Sequence, residues 1–303
     1  MSSAPEPTPD PTTSQPSPLD ELIANGYPVS DEYVVETVVR DLDAGTGGLA
    51  IDDDGYFYQA DFGYPGHPGR SVYRVSPDGG QVEEFASSEE MDALTMTVFG
   101  PDGTLYQSSY RTDKVFAIDD DGNPEVVADG ILGPTGIVVL EDGTLLVEAY
   151  DGSVMHEVSP DGTVSEWTRS SEFRGVNGLT MGPDGTLYAA NHREGGLLAI
   201  DEAGEVTRLH TFPAPTSHVV YHDGALFVTS RGSFVVFRYD LETEDIEIVA
   251  GNGEPGFSDG RGTEASFGSP NAITVGPDGE LYFNHADGEG VMTVHIRRLA
   301  HRP

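Results

Sequence analysis

Short runs in which apolar and polar residues alternate fill most of the chain, and an Asp-Gly pair separates one run from the next. Gly100 to Ser109 reads GPDGTLYQSS, Gly182 to Asn191 reads GPDGTLYAAN, and Gly276 to His285 reads GPDGELYFNH. Variants of this turn begin at Asp54, Asp102, Asp142, Asp184, Asp223 and Asp278, at intervals of 48, 40, 42, 39 and 55 residues. Alternation with period two marks a strand that buries one face. Asp-Gly between two such runs marks a hairpin, because glycine reaches the positive φ of a tight turn. In the third unit TGIVVL, EDG, TLLVEAY, SVMHEVS, PDG and TVSEWT follow one another, four strands with no room for a helix. A repeat of this length without helices predicts an all-β fold, a six-bladed β-propeller of four-stranded antiparallel blades.

The last unit ends at VMTVHIRRLA, one strand short, and the strand-like EYVVETVVR at Glu32 to Arg40 has no hairpin partner nearby. The expected closure makes this N-terminal strand the outer strand of the sixth blade, which removes the open sheet edges of an unclosed array. Residues 33–303 are then a single propeller domain. Residues 1–18 hold six prolines among Ser, Thr, Glu and Asp, a composition that buries too little apolar surface to offset ordering, so a disordered tail is expected. The lead-in at residues 19–32 is expected to contain a short helix, with Ser17 as N-cap, Pro18 at the first helical position, Asp20 and Glu21 in the first turn, and Gly26 as the stop.

Charge changes the picture of the surface. The chain has 52 acidic and 15 basic residues, a formal net charge of −37, and Lys114 is its single lysine. Such a surface repels phosphate backbones and anionic lipids, so no nucleic acid and no membrane surface is expected among its partners. The carboxylates are dispersed, not gathered into a tail, and solvate the whole surface. That distribution with so little lysine resembles the proteins of salt-loving microbes, in which high salt screens self-repulsion. The absence of cysteine excludes disulfides, thiolate metal sites and cysteine nucleophiles. No run of 18 apolar residues is present, and the N-terminus lacks the basic and apolar regions of a signal peptide. Two compartments fit: the exterior, for a mature secreted chain, and the cytoplasm of a halophile. A closed ring of this charge is expected to be a monomer.

From Gly251 the sequence GNGEPGFSDGRGTEASFGSPNAITVGPDGELYFNHA, closing on HIRRL, resembles an NHL repeat. The other five units resemble the wider six-bladed group that contains NHL proteins, the regucalcin and gluconolactonase family, paraoxonases and streptogramin lyases. The resemblance covers the chain from about Gly26 onward. It implies the fold more firmly than any activity. For the lactonase branch it implies a divalent cation, usually Ca²⁺, at the mouth of the central channel, held by Asn, Asp and Glu placed just before the innermost strands. Oxygen ligands of this kind suit a hard cation. Carried over by position, Asn177 in VNGLTM and Asn271 in PNAITV become candidate metal ligands, with Asp92 as a third if the loop of the second blade is two residues longer. Gly47, Thr135 and Thr216 hold the equivalent places elsewhere, and the acidic ligand that the family sets in a Glu-x-Pro motif of the first blade has no counterpart.

The ends of the second strands offer Asp61, Glu148, Asn191, His192, Arg231, Asn284 and His285, polar groups at comparable places in different blades. His218 begins an inner strand and shares a face with His222. As an imidazole titrating near neutral pH it is the candidate general base, with Glu148 and His285 as further catalytic candidates. Each of these residues also has a plainer explanation: an asparagine that bonds its own backbone at a loop end, or a histidine hydrogen-bonded inside a blade interface. GNGEPG fits a nucleotide-binding pattern, but Pro255 lies inside it and no helix follows. Three functions remain. One is a metal-assisted hydrolase of a lactone or ester, in which the cation polarises the carbonyl and His218 or a carboxylate activates water. The second is a non-catalytic propeller that binds a small ligand, glycan or protein, and the third is a streptogramin-lyase-like enzyme. The hydrolase requires oxygen ligands from three blades with a carboxylate close by, and the binding module requires an apolar or aromatic patch on one face.

Overall fold

The computed structural model describes residues 16–287 and 293–303, so most of the expected N-terminal tail lies outside the described residues. Six antiparallel blades of four strands radiate from a central channel, and the short strand Gly260–Arg261 adds a fifth to the sixth blade. The first blade comprises Thr46–Ile51, Phe57–Asp61, Ser71–Val75 and Val82–Ser87, counted from the channel outward, and the second Leu94–Phe99, Leu105–Ser109, Lys114–Ile118 and Pro124–Asp129. The third runs through Pro134–Val139, Leu145–Ala149, Val154–Val158 and Val164–Arg169. The fourth runs through Val176–Met181, Leu187–Asn191, Gly196–Ile200 and Val206–Thr211. The fifth has Val219–His222, Ala225–Ser230, Val235–Asp240 and Ile246–Ala250. The sixth takes Pro270–Val275, Leu281–Ala286 and Val294–His301 from the end of the chain and Tyr33–Leu42 from its beginning.

That last pairing is the closure the sequence predicts. Tyr33 lies opposite His301 and Leu42 opposite Val294, so neither strand is left as an open edge between the ends of the chain. The core lies mainly between blades: Ala60 and Val72 of the first blade meet Leu94, Leu105 and Phe116 of the second, and Leu146 and Met155 of the third meet Leu179 and Leu198 of the fourth. The helix Pro18–Ala24 is capped as expected, with the Asp20 amide donating to Ser17 Oγ at 3.1 Å. A helix this short has little stability alone. It is held because Leu22 and the following Tyr27 pack on Phe212, Phe237 and Ile248 of blades four and five. Among the described residues no helix is long and apolar enough to cross a membrane.

One local irregularity positions everything at the channel mouth. In five blades the inner strand carries a register shift near its start. In the first blade Thr46 faces Asp61 and the next ladder pair is Leu49 with Gln59; in the third, Pro134 faces Ala149 and the next is Ile137 with Val147. The extra residue of such a bulge is left out of the ladder and turned. Here the turned residues are Gly47, Thr95, Thr135, Asn177 and Asn271, and all five border the channel mouth.

Candidate functional site at the channel mouth

The mouth encloses a cavity of about 320 Å³, built in two tiers from equivalent positions of successive blades. The floor consists of Gly47, Thr95, Thr135, Asn177, Ser217 and Asn271. The rim consists of the residue seven places after the glycine of each Asp-Gly turn: Phe62, Tyr110, Tyr150, His192 and Arg231 in blades one to five. Their rings follow one another around the opening, with centroids 6.5 Å apart from Phe62 to Tyr110, 5.9 Å from Tyr110 to Tyr150 and 6.4 Å from Tyr150 to His192. In the sixth blade the same place is Ala286, so among the described residues this rim position carries no large side chain.

The floor residues spend much of their polarity on each other. Thr95 Oγ1 donates to Pro134 O (3.0 Å), Thr135 Oγ1 lies 2.9 Å from Val176 O, and Asn177 Nδ2 donates to Ser217 Oγ (3.1 Å). Ser217 Oγ in turn donates to Asn271 Oδ1 (2.5 Å), and Asn271 Nδ2 donates to Gly47 O (2.9 Å). Each bond crosses from one blade to the next, so the floor is a belt that ties blades two to six and the first blade together. Gly47 contributes backbone only, and the space around it excludes more: a Cβ there would lie 2.4 Å from Leu94 O and 2.6 Å from Ala60 O.

The six residues proposed from sequence are divided by this geometry. Asn177, Asn271 and His218 border one cavity. Glu148 lies behind Thr135, fully buried, with Oε2 2.9 Å from Thr135 Oγ1 and Oε1 without a partner among the described residues. Burial pushes its carboxyl well above the usual range. A protonated Glu148 also resolves the donor count, because Thr135 has one hydroxyl proton and two oxygens at 2.9 Å. Asp92 does not border the cavity; its carboxylate pairs with Arg111 at 2.8 Å, and Thr95 occupies the second-blade floor position. His285 faces into the sixth blade, where Nδ1 accepts from the Gly268 amide (3.0 Å) and its ring stacks on His295 at 5.0 Å. The fifth-blade floor residue is Ser217 rather than Thr216. The fifth hairpin is one residue tighter, with His222 directly opposite Ala225, and counting back from its glycine slips by one. Asp61, Asn191 and Asn284 turn back onto backbone: Asp61 Oδ1 accepts from Gly45 and Gly63, Asn191 bonds the loop around Glu172 and Arg174, and Asn284 accepts from Ala272. Phe62, Tyr110 and Tyr150 were not picked out from sequence, though the constant seven-residue offset from the turn glycine was there to find.

Electrostatics separate the two histidines of the mouth. His218 is 2% exposed, and burial holds its pKa down to about 3, so it stays neutral and accepts a proton poorly. His192 places Nδ1 2.7 Å from the carbonyl oxygen of Thr216. A carbonyl only accepts, so Nδ1 carries the proton and Nε2 is left as the acceptor. Burial, with smaller contributions from Arg231 and Arg193, lowers the His192 pKa below its usual 6.5 and keeps the ring neutral at pH 7. The rim cations differ in the same way. Arg193 pairs with Asp151 (2.6 Å) and lies over the Tyr150 ring at 4.8 Å, and Arg111 pairs with Asp92 and lies over Phe62 at 5.7 Å. Arg231 has no carboxylate within 4.0 Å among the described residues.

No family model matches the sequence. Among curated proteins, a gluconolactonase of Zymomonas mobilis is 29% identical over 212 residues, which are 61% of this chain and 57% of that protein. The match therefore spans little more than half the length of the curated relative. Among solved structures, one titled as a putative gluconolactonase superposes with a TM-score of 0.66 at 15% identity, covering 91% of this chain and 94% of that one. A streptogramin B lyase superposes with a TM-score of 0.62 at 14% identity, covering 88% and 98%. The chain is thus a six-bladed β-propeller, similar in part of its sequence to a gluconolactonase and in fold to propellers described as a lactonase and a lyase.

Proposed function

We propose that the channel mouth binds a small polyhydroxylated ring compound, with sugars and sugar lactones as the class that fits. The observation that carries this reading is the arc of Phe62, Tyr110, Tyr150 and His192 above a floor of hydroxyls and amides, around a cavity of about 320 Å³. Ligand sites of this volume combine aromatic walls with a few placed polar groups. A sugar ring presents C–H faces to aromatic surfaces and hydroxyls to groups such as Thr95, Asn177 and Ser217. The similarity to gluconolactonase points to the same class of molecule.

The cation implied by the lactonase resemblance finds a poor donor set. Among the described residues no cluster of three His, Cys, Asp or Glu side chains is placed to hold a metal. Asn271 Oδ1 is engaged by Ser217, Glu148 lies behind Thr135 outside the cavity lining, and the backbone at Gly47 has no room for an acidic side chain. A hard divalent ion takes six or more oxygens, usually with carboxylates among them.

The direct test is calorimetric titration with D-galactose, methyl β-D-glucoside and glucono-δ-lactone. Saturable one-to-one binding is expected for at least one of them, weakened about tenfold in Tyr150→Ala, a loss of the size of one aromatic contact. Absence of binding by all three, or full affinity in Tyr150→Ala, would overturn the reading.

Hydrolysis of a bound lactone is a second reading, favoured by the Nδ1 bond that fixes the His192 tautomer. Water oxygen adds to the lactone carbonyl carbon while His192 Nε2 takes its proton. Collapse then breaks the ring C–O bond, and the proton passes to the departing oxygen. Glucono-δ-lactone consumption followed by acid release is expected to fall more than about a hundredfold in His192→Gln while binding persists. Equal rates in the two proteins would remove this reading and leave the binding site.

A further inference from the structure

Pairing a cation is easy in this chain. It has 52 acidic side chains for 15 basic ones, and all but three of the basic residues have a carboxylate within 4.0 Å among the described residues. The three are Arg174, which is exposed to water, Arg261, which donates to the carbonyls of Asp31 and Arg302, and Arg231. Arg231 alone among them borders the ligand cavity, beside Ser217 and His192. Its two rim neighbours of the same charge, Arg111 and Arg193, are both neutralised by carboxylates.

We infer that Arg231 reads a carboxylate, so that the ring compound taken by the mouth is an acid such as a uronate. This rests on the small-molecule reading above and specifies it. An arginine drawn partly out of water keeps its charge and presents a planar fork of N–H donors, which a carboxylate matches with two parallel bonds. Desolvation lowers the Arg231 pKa and no neighbouring charge opposes it, the state of a cation whose counter-charge has yet to arrive. A phosphate dianion fits less well. The cavity offers one cation, His192 is neutral, and the net charge of −37 raises the cost of a second negative charge.

Two matched probe pairs test this by calorimetry in 0.1 M KCl: D-galacturonate against D-galactose, and benzoate against benzamide, with inorganic phosphate as a further arm. The acid of at least one pair is expected to bind about ten- to a hundredfold tighter than its neutral partner, the range of a hydrogen bond to a charged group. In Arg231→Met that ratio should fall to about one, and Arg231→Lys should keep part of the preference. Neutral partners that bind as well as the acids would overturn the carboxylate assignment and leave the binding site standing. Failure of every probe would overturn both, and phosphate binding tighter than either acid would replace the ligand class.

Discussion

Arg297 in the closing blade and Arg231 at the channel mouth are both withdrawn from water, and among the described residues only Arg297 has a counter-charge. Arg297 is 1% exposed; it donates to Asp259 Oδ1 at 2.7 Å, to Ser258 O at 2.9 Å and to Ser266 O at 3.3 Å. Around it His285 accepts from the Gly268 amide, and His295 Nε2 lies 2.7 Å from Asp287 Oδ1. This cluster joins the loop before the sixth blade to the strand that closes the ring, and it is nearly complete within itself. The mouth has a comparable stock of polar groups, but its Arg231 guanidinium has no carboxylate within 4.0 Å among the described residues. Polarity that is satisfied internally holds a fold together; polarity left open inside a cavity awaits a ligand.

The largest expected effect separates the two arginines by stability. Arg297→Met removes a buried guanidinium that donates to Asp259 and to the carbonyls of Ser258 and Ser266 and should cost about 2–3 kcal/mol in denaturant unfolding, whereas Arg231→Met breaks no ion pair among the described residues and should change stability by less than about 1 kcal/mol. Equal losses would erase the distinction between lock and site.

The next effect is the pH dependence of the two buried histidines, His285 in the lock and His218 under the mouth. Both are held at about 3 by burial, against 6.5 when unfolded. The folded state binds the proton less readily than the unfolded state, so their contribution is complete above pH 6.5 and is lost as pH falls from there toward 3. The loss is about 2 kcal/mol for each by pH 5. His218→Gln should flatten the fall in stability between pH 7 and 5, and an unchanged slope would show that the ring charges freely in the fold.

The smallest effect runs the other way. Glu148 is pushed up, so its burial costs stability as pH rises above the unfolded value of 4.5 toward its folded pKa. Glu148→Gln should raise the melting temperature at pH 7 and leave it unchanged at pH 4. A lowered melting temperature at pH 7 would mean that the carboxylate is ionised and held by a partner.

The blades and their closure were legible because hairpin turns are local: Asp-Gly is written beside the strands it joins, and the unpaired strand at Tyr33–Leu42 had one place to go. The helix cap at Ser17 was legible for the same reason. Asn177 and Asn271 border the mouth at the repeat position from which they were picked out, and the repeat position slips where local spacing varies, at the tight fifth hairpin that substitutes Ser217 for Thr216 and at the second blade, where Thr95 stands in place of Asp92. Tyr110 and Tyr150 escaped because an aromatic residue at a strand end most often belongs to the core. The charge pattern could not be read at all. Whether Arg193 or Arg231 is neutralised depends on Asp151, 42 residues from the one and far from the other, and only folding reveals it.

The most direct measurement is the crystal structure of the protein soaked in D-galacturonate. The account predicts one molecule in the mouth cavity, its ring against Tyr110 and Tyr150 and its carboxylate about 3 Å from the Arg231 guanidinium. An empty mouth at saturating ligand, or a carboxylate turned away from Arg231, would contradict it.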